Sequence, residues 1–356
     1  MKLRILLCVC MLILSGCVEN SIVDDIQMVT VIGYEKTDDG KLKGIAVAPQ
    51  FQANGNVENS VFVETAQISK EIRSQFNTES PKPLVSGKLQ LAIYSKKIAE
   101  EDGIMELTDT LQRDPSIGSR TFLAVSNSDP EAMLRTNFGN VDTGHYIHSI
   151  LEHNSKYGML PETNLHNFFY YYFSEGNDPF LPLIDLEEDK VKITGLVLLK
   201  KDKMVSELPA DDLFTFKILY ENFSSNDSYT TDLGGGDHAS IYNIASKRDI
   251  DLKKIKKNKI TINGKVLGVI KEYTGEELNT KVKEKIEKDM EEEVEKKGRE
   301  MIEKFQEEGI DPLGLGNAVR SVTRGKFDYD EWKQRYTDID IKFNMEVVIT
   351  ESGVIE

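Results

Sequence analysis

Apolar residues fall at every second position through Ile339, Ile341, Phe343, Met345, Val347 and Ile349, and at every fourth through Leu278, Val282, Ile286, Met290 and Val294. The first spacing is that of a strand with one buried and one wet face, the second that of a long amphipathic helix. With 3.6 residues per turn, a strict four-residue stripe drifts by about 40° at each step, so this helix is expected to cross its partner obliquely. Thr274-Gly275-Glu276-Glu277 reads as its capping box, and Gly298 is placed to bend it. Together they predict an antiparallel sheet with the long helix on its apolar side.

Upstream the elements are shorter. Residues 26–34 and 42–51 are β-rich runs around Asp38-Asp39-Gly40, a turn sequence that tolerates positive φ, and 61–63 reads as another strand. Ile68, Ile72 and Phe76 mark a helix ending before Pro81 and Pro83. Leu89, Leu91 and Ile93 form one face of a strand reaching Tyr94; Ile104, Leu107 and Leu111 mark a helix stopped near Asp114-Pro115; 120–126 is strand again. Asp129-Pro130-Glu131 starts a helix, with an N-cap acceptor, a first-turn proline and an acid at the positive end of the dipole. Residues 191–199 and 204–208 pair around a turn, 210–221 is helical, two long strands over 238–248 and 259–272 flank a lysine-rich turn, and 315–322 is a short helix.

This irregular alternation predicts a multi-domain α+β protein, its mixed and antiparallel sheets packed with helices, and not a doubly wound sheet. A boundary near 190 separates an N-terminal α+β region, 26–190, from a C-terminal α+β domain, 191–356. A further break would divide the first into 26–128 and 129–190.

The start of the chain has its own pattern. Lys2 and Arg4 precede an unbroken apolar run over 5–14. About ten apolar residues fall short of the roughly 20 that span a bilayer, so 1–16 is expected to be a signal peptide. It ends in Leu14-Ser15-Gly16-Cys17, which resembles a bacterial lipobox. Cleavage after Gly16 would leave Cys17 as an N-acylated, S-diacylglyceryl first residue, with 17–25 as lipidated cysteine and tether. An ordinary secretory signal that happens to end at a cysteine is the competing reading. At about 0.8 kcal/mol per buried CH2, one acyl chain binds marginally and two or three hold firmly. Cys8 and Cys10 leave with the signal, so no free thiol is expected to remain for a disulfide, a metal or a nucleophile.

Losing the two cations of the leader takes the formal net charge from −16 to −18. Such a balance argues against nucleic acid, whose affinity comes largely from neutralised phosphates, and against a body lying flat on anionic lipid. Candidate chemistry is sparse. His145, His148, Glu152 and His153 lie close in sequence, but the spacing is not that of a zinc peptidase, and a solvated helix face accounts for them better than a metal site. The aromatic run 168–173 suits core packing first and an interaction surface second. Gly234-Gly235-Gly236-Asp237 lacks the lysine and hydroxyl of a phosphate loop, and Gly314-Leu315-Gly316 lacks the third glycine of a dinucleotide fingerprint. Acidic runs such as Glu291-Glu292-Glu293 show no uniquely placed pair for acid/base work, and the lysines of 253–259 read as a solvated turn.

Several short motifs nevertheless occur in a set order: Val31-Ile32-Gly33, Gly87-Lys88-Leu89-Gln90, Leu111-Gln112-Arg113-Asp114-Pro115, Gly158-Met159-Leu160-Pro161, Asp178-Pro179-Phe180-Leu181-Pro182, Thr194-Gly195-Leu196, Asp311-Pro312-Leu313-Gly314-Leu315-Gly316 and Asp338-Ile339-Asp340-Ile341. Behind a lipobox, this series resembles the Ger(x)C family, the lipoprotein C subunits of receptors that trigger germination of bacterial spores. Lys88 departs from the pattern, since the family often has histidine there. The resemblance implies a non-enzymatic subunit without cofactors, lipid-anchored on the outer face of the membrane, in spores the inner membrane. It also implies two integral-membrane partners, an A-type subunit and a transporter-like B-type subunit. The alternative is a solute-binding lipoprotein of an importer, which would need two similar lobes around a polar cleft.

Overall fold

The computed structural model describes residues 25–225 and 228–352. Its larger sheet has eight strands in the order β10-β9-β8-β7-β6-β2-β3-β4. These are β2 (Val31–Lys36), β3 (Leu42–Phe51), β4 (Val57–Ala66), β6 (Leu91–Ser95), β7 (Phe122–Ser126), β8 (Phe180–Glu187), β9 (Lys190–Lys200) and β10 (Lys203–Pro209). A small parallel pair, β1 (Gln27–Met28) and β5 (Leu84–Val85), stands beside it. The expected hairpins form its flanks, β2-β3-β4 and β8-β9-β10, while β2, β6, β7 and β8 run parallel through the middle. Parallel strands are covered on both faces, and every residue of β6 is buried.

Two cores result. Ile72 and Phe76 of α1 (Ser69–Glu79), Ile98 of α2 (Lys96–Glu101), Leu107 and Leu111 of α3 (Met105–Gln112) and Phe168 of α6 (Leu165–Phe173) cover one face. Met133 of α4 (Pro130–Arg135) and Ile147 and Leu151 of α5 (Thr143–Tyr157) cover the other. Asp129 caps α4 as its sequence implies, accepting from the Glu131 and Ala132 N–H groups. Leu89 does not share a face with Leu91 and Ile93. It sits in a turn, its N–H bonded to the Ser86 carbonyl, and packs into the opposite core.

The second sheet has the order β11-β12-β13-β14, with β11 (Ser228–Gly234), β12 (Asp237–Asp251), β13 (Lys259–Tyr273) and β14 (Asp340–Ser352). Its first three strands are antiparallel, but β14 runs parallel to β13, which corrects the expected all-antiparallel sheet. Alternation reports which faces are wet and dry, not direction. The crossover through α8 (Thr280–Glu308), α9 (Leu315–Val322) and α10 (Tyr329–Tyr336) is long enough for a parallel return. The mixed α+β class itself stands.

Two details of α8 differ from the sequence reading. Its cap is Asn279, whose side chain accepts from the Val282 N–H, and not Thr274, whose hydroxyl accepts from the His238 N–H at the end of β13. Gly298 serves close packing: a Cβ there would lie 2.4 Å from the Phe343 ring. The apolar stripe runs on past it through Met301, Ile302 and Phe305.

Beside that stripe, Glu287, Glu291 and Glu295 accept at 2.8 Å from the backbone N–H groups of Ile349, Val347 and Met345. The three carboxylates occupy donors that a further strand would otherwise take. They close the outer edge of β14.

The expected break at 190 falls in the β8–β9 hairpin, so strands on either side of it share the larger sheet. The second sheet begins only at Ser228.

Candidate functional site: the seam between the two sheets

Several of the ordered motifs, far apart in sequence, meet where the two sheets join. The Asp178 N–H donates to the Asp311 carbonyl at 3.0 Å, and the Asp311 N–H returns a bond to Asp178 Oδ2 at 2.8 Å. Asp311 then turns its carboxylate to the start of α9, where Oδ1 accepts from Leu315 N–H at 2.9 Å and Oδ2 from Gly316 N–H at 2.7 Å. A carboxylate at a helix N-terminus satisfies orphan donors and meets the positive end of the dipole. The Gly-Leu-Gly triplet is thus a helix entry.

Both acids are buried, 6% and 4% exposed. Burial pushes the Asp311 carboxyl up to about 7, against the pull of the Gly316 and Leu315 N–H groups. Asp178 is raised by burial as well. Arg248 of β12 donates to the Tyr220 and Leu313 carbonyls at 2.8 and 2.9 Å, and burial lowers its guanidinium to about 10. The backbones touch here. A Cβ on Gly316 would lie 2.5 Å from the Gly176 Cα and from Trp332 Nε1, and the Asn317 N–H donates to the Gly176 carbonyl at 3.0 Å.

A second buried polar knot lies on α7 (Leu213–Tyr220). Lys217, 1% exposed, donates to the Ser155, Gly158 and Leu160 carbonyls at 3.2, 2.9 and 2.9 Å. Its ammonium supplies donors to the carbonyls left over where α5 ends, the place of Gly158-Met159-Leu160-Pro161. Burial lowers its pKa, and Glu221 at 3.7 Å works the other way.

The aromatic run divides as a helix must. Phe168 and Phe169 of α6 are buried, Tyr171 stacks on Phe180, and Phe180 meets Phe216 edge-on, which in turn meets Phe305 of α8. Tyr170 and Phe173 face outward, 56% and 66% exposed. His145 and His148 stand ring over ring on α5, with His148 half-buried against Phe122. Among the described residues no three His, Cys, Asp or Glu side chains are grouped to hold a metal ion. Gly234, Gly235 and Gly236, all at positive φ, make the β11–β12 turn, and Ile255–Lys257 is a 3-10 turn before β13. Cys17 and the leader lie outside the described residues.

Each acid at the seam is sealed from solvent and committed to backbone donors, so the pair acts on the fold and not on a substrate. Sequence reasoning quoted both Asp-Pro motifs without joining them. Lys217, alone among apolar neighbours in Leu213–Tyr220, was a signal that could have been read: an ammonium at a buried position demands acceptors.

The architecture is that of two α+β units locked at one seam, and its motifs place it among known chains. Two family models match, the spore germination protein N-terminal domain over residues 19–186 and the spore germination B3/GerAC-like C-terminal domain over 194–353. The chain belongs to this spore germination protein family. It is 32% identical to the spore germination protein GerQC of Bacillus cereus, with both chains covered in full. It is 23% identical to spore germination protein A3 of Bacillus subtilis strain 168 over 56% of each chain. The crystal structure of the GerBC protein superposes with a TM-score of 0.58 at 16% identity, covering 89% of this chain and 96% of that one, a likeness of fold.

Proposed function

We propose that this protein is the lipid-anchored, non-enzymatic C subunit of a spore nutrient receptor, held at the outer face of the membrane through Cys17 and assembled with two integral-membrane subunits. The observation that carries the reading is the two-domain family match across the chain behind Leu14-Ser15-Gly16-Cys17. Among the described residues no helix is long and apolar enough to cross a membrane, so an acyl anchor would supply the attachment. The seam supports a role by contact, because its buried polar groups fix the orientation of the two sheets. The surface a partner would meet is then presented in one arrangement.

Cys17→Ala tests it in spores that carry no other receptor for the same nutrient. The variant should lose the fatty-acylated N-terminal peptide in mass spectra and the nutrient response, while spores still germinate when their cortex is attacked directly. An undiminished nutrient response from an unacylated protein would falsify the anchor reading.

A further inference from the structure

We infer that the outer edge at the start of β14, at Ile341 and Phe343, is where a partner chain adds an extended segment as a further strand. The inference rests on the reading above, that this protein works by contact within a membrane complex. The glutamate ladder shows which backbone groups of β14 face outward. It takes the N–H groups of Met345, Val347 and Ile349, with four residues of α8 passing for every two of the strand in the opposite direction. Every second residue of a strand turns its N–H and C=O to the same side, so those of Phe343 and Ile341 face outward too. Continued, the register sets position 299 against Phe343 and position 303 against Ile341. Here the ladder stops. Arg299 has donors and no acceptor, and it turns back to Glu295 at 3.5 Å. The row is filled again only at Ile339, whose carbonyl accepts from Gln306 at 2.9 Å. Among the described residues no group bonds the outward N–H or C=O of Ile341 or Phe343.

That gap opens on a hollow of about 490 Å3 between α8 and β14, with Arg299, Ile302 and Glu303 on one side and residues 339–344 on the other. A strand edge with open donors and acceptors beside a hollow for side chains is the arrangement that takes up an extended peptide. Two other sheet edges are blunted. A bulge follows Met204 in β10, which ends in Pro209, and the Asn140 side chain accepts from the first N–H of β4 at 2.6 Å.

The lining states what would fit. Side chains of an added strand alternate between the α8 side, where Ile302 and the partly buried Ile341 form an apolar wall, and the outer face, where Lys342 stands exposed. Asp340 is paired with Lys259 at 2.6 Å and Arg299 with Glu295. Lys342 and Glu303 are then the charges of the hollow with no ion pair among the described residues. The fitting segment is apolar and then basic toward α8, and acidic where it flanks Lys342. A second copy fits poorly, because a twofold sets the edge against itself and brings Glu295 and Glu303 of one α8 toward those of the other.

The test compares Arg299→Gln with Arg299→Met in the full chain. Both remove the charge at similar length, but only Gln offers an acceptor to the Phe343 N–H and so extends the ladder. Amide exchange at Phe343 in the purified protein should slow in Arg299→Gln and stay fast in Arg299→Met. With p-benzoylphenylalanine replacing the exposed Asn344, irradiated spore membranes should join this chain to a different polypeptide through an acidic, alternating segment. The yield should fall several-fold in Arg299→Gln and hold in Arg299→Met. Equal yields from the two variants, no cross-link, a cross-link to a second copy, or exchange at Phe343 equally fast in both overturns the inference and leaves the contact reading standing. Spores that lack this chain yet answer the nutrient normally overturn the contact reading, and the inference falls with it.

Discussion

Asp311 shows how one buried carboxyl ties stability to pH. In the folded chain it keeps its proton up to about 7, and in the unfolded chain it loses it near 4. Across that window the folded state holds the extra proton, so the contribution of this group to stability falls as pH rises. Asn cannot ionise, so Asp311→Asn removes this group's share of the slope and leaves that of Glu221, whose carboxyl burial also pushes up to about 7. It also turns an amide toward the Leu315 and Gly316 N–H groups, offering one acceptor where two are needed, at a cost of about 1–3 kcal/mol. Urea unfolding followed from pH 5 to pH 8 should show the wild-type midpoint falling toward the lower midpoint of the variant. Two curves that stay parallel over that range would remove Asp311 from the account. Little of this residue's role was legible in advance, because its partner Asp178 lies 133 residues away and nothing in the local pattern links them. Their common sign is the Asp-Pro pair that each begins.

At the scale of elements, periodicity carried most of the information. The second strand run, 42–51, and the short helix over 315–322 occupy the residues their spacing implied, since each is bounded by turn residues and buried on a regular face. The direction of β14 was not readable, because an alternating face looks the same in a parallel and an antiparallel pair. The capping box at Thr274 misled for a related reason: Asn279 offers a better acceptor five residues on, and Thr274 is taken up by His238. The glutamate ladder could have been found, as Glu287, Glu291 and Glu295 each follow a stripe residue, Ile286, Met290 and Val294, by one position. Changing all three to Gln keeps an acceptor for each β14 N–H and should leave the protein close to wild type. Changing all three to Ala leaves the donors open, costs on the order of 1 kcal/mol each, and offers a strand edge to a second copy. Sedimentation should show the alanine variant self-associating. If it sediments and melts like the glutamine variant, the ladder protects nothing.

For the whole molecule, the question is whether the two sheets unfold together. One core holds Val31, Leu91 and Ile147 against the larger sheet and Ile262, Phe305 and Phe343 against the smaller, joined through Phe180 and Phe216. The Asp178–Asp311 bonds and the Asn317 N–H donated to the Gly176 carbonyl cross the same seam. Separating the halves would expose that apolar surface and strip several buried polar groups of partners, so neither sheet gains by outlasting the other. Calorimetry of residues 25–352 should therefore give one endotherm whose van't Hoff and calorimetric enthalpies agree, although chains of this length commonly show more than one step. A fragment cut at 190 loses β9 and β10 from the larger sheet as well as the whole seam, and should not give a cooperative melt. Two resolved endotherms in the intact protein, or a cooperative melt from the fragment, would mean that the seam joins domains already stable alone.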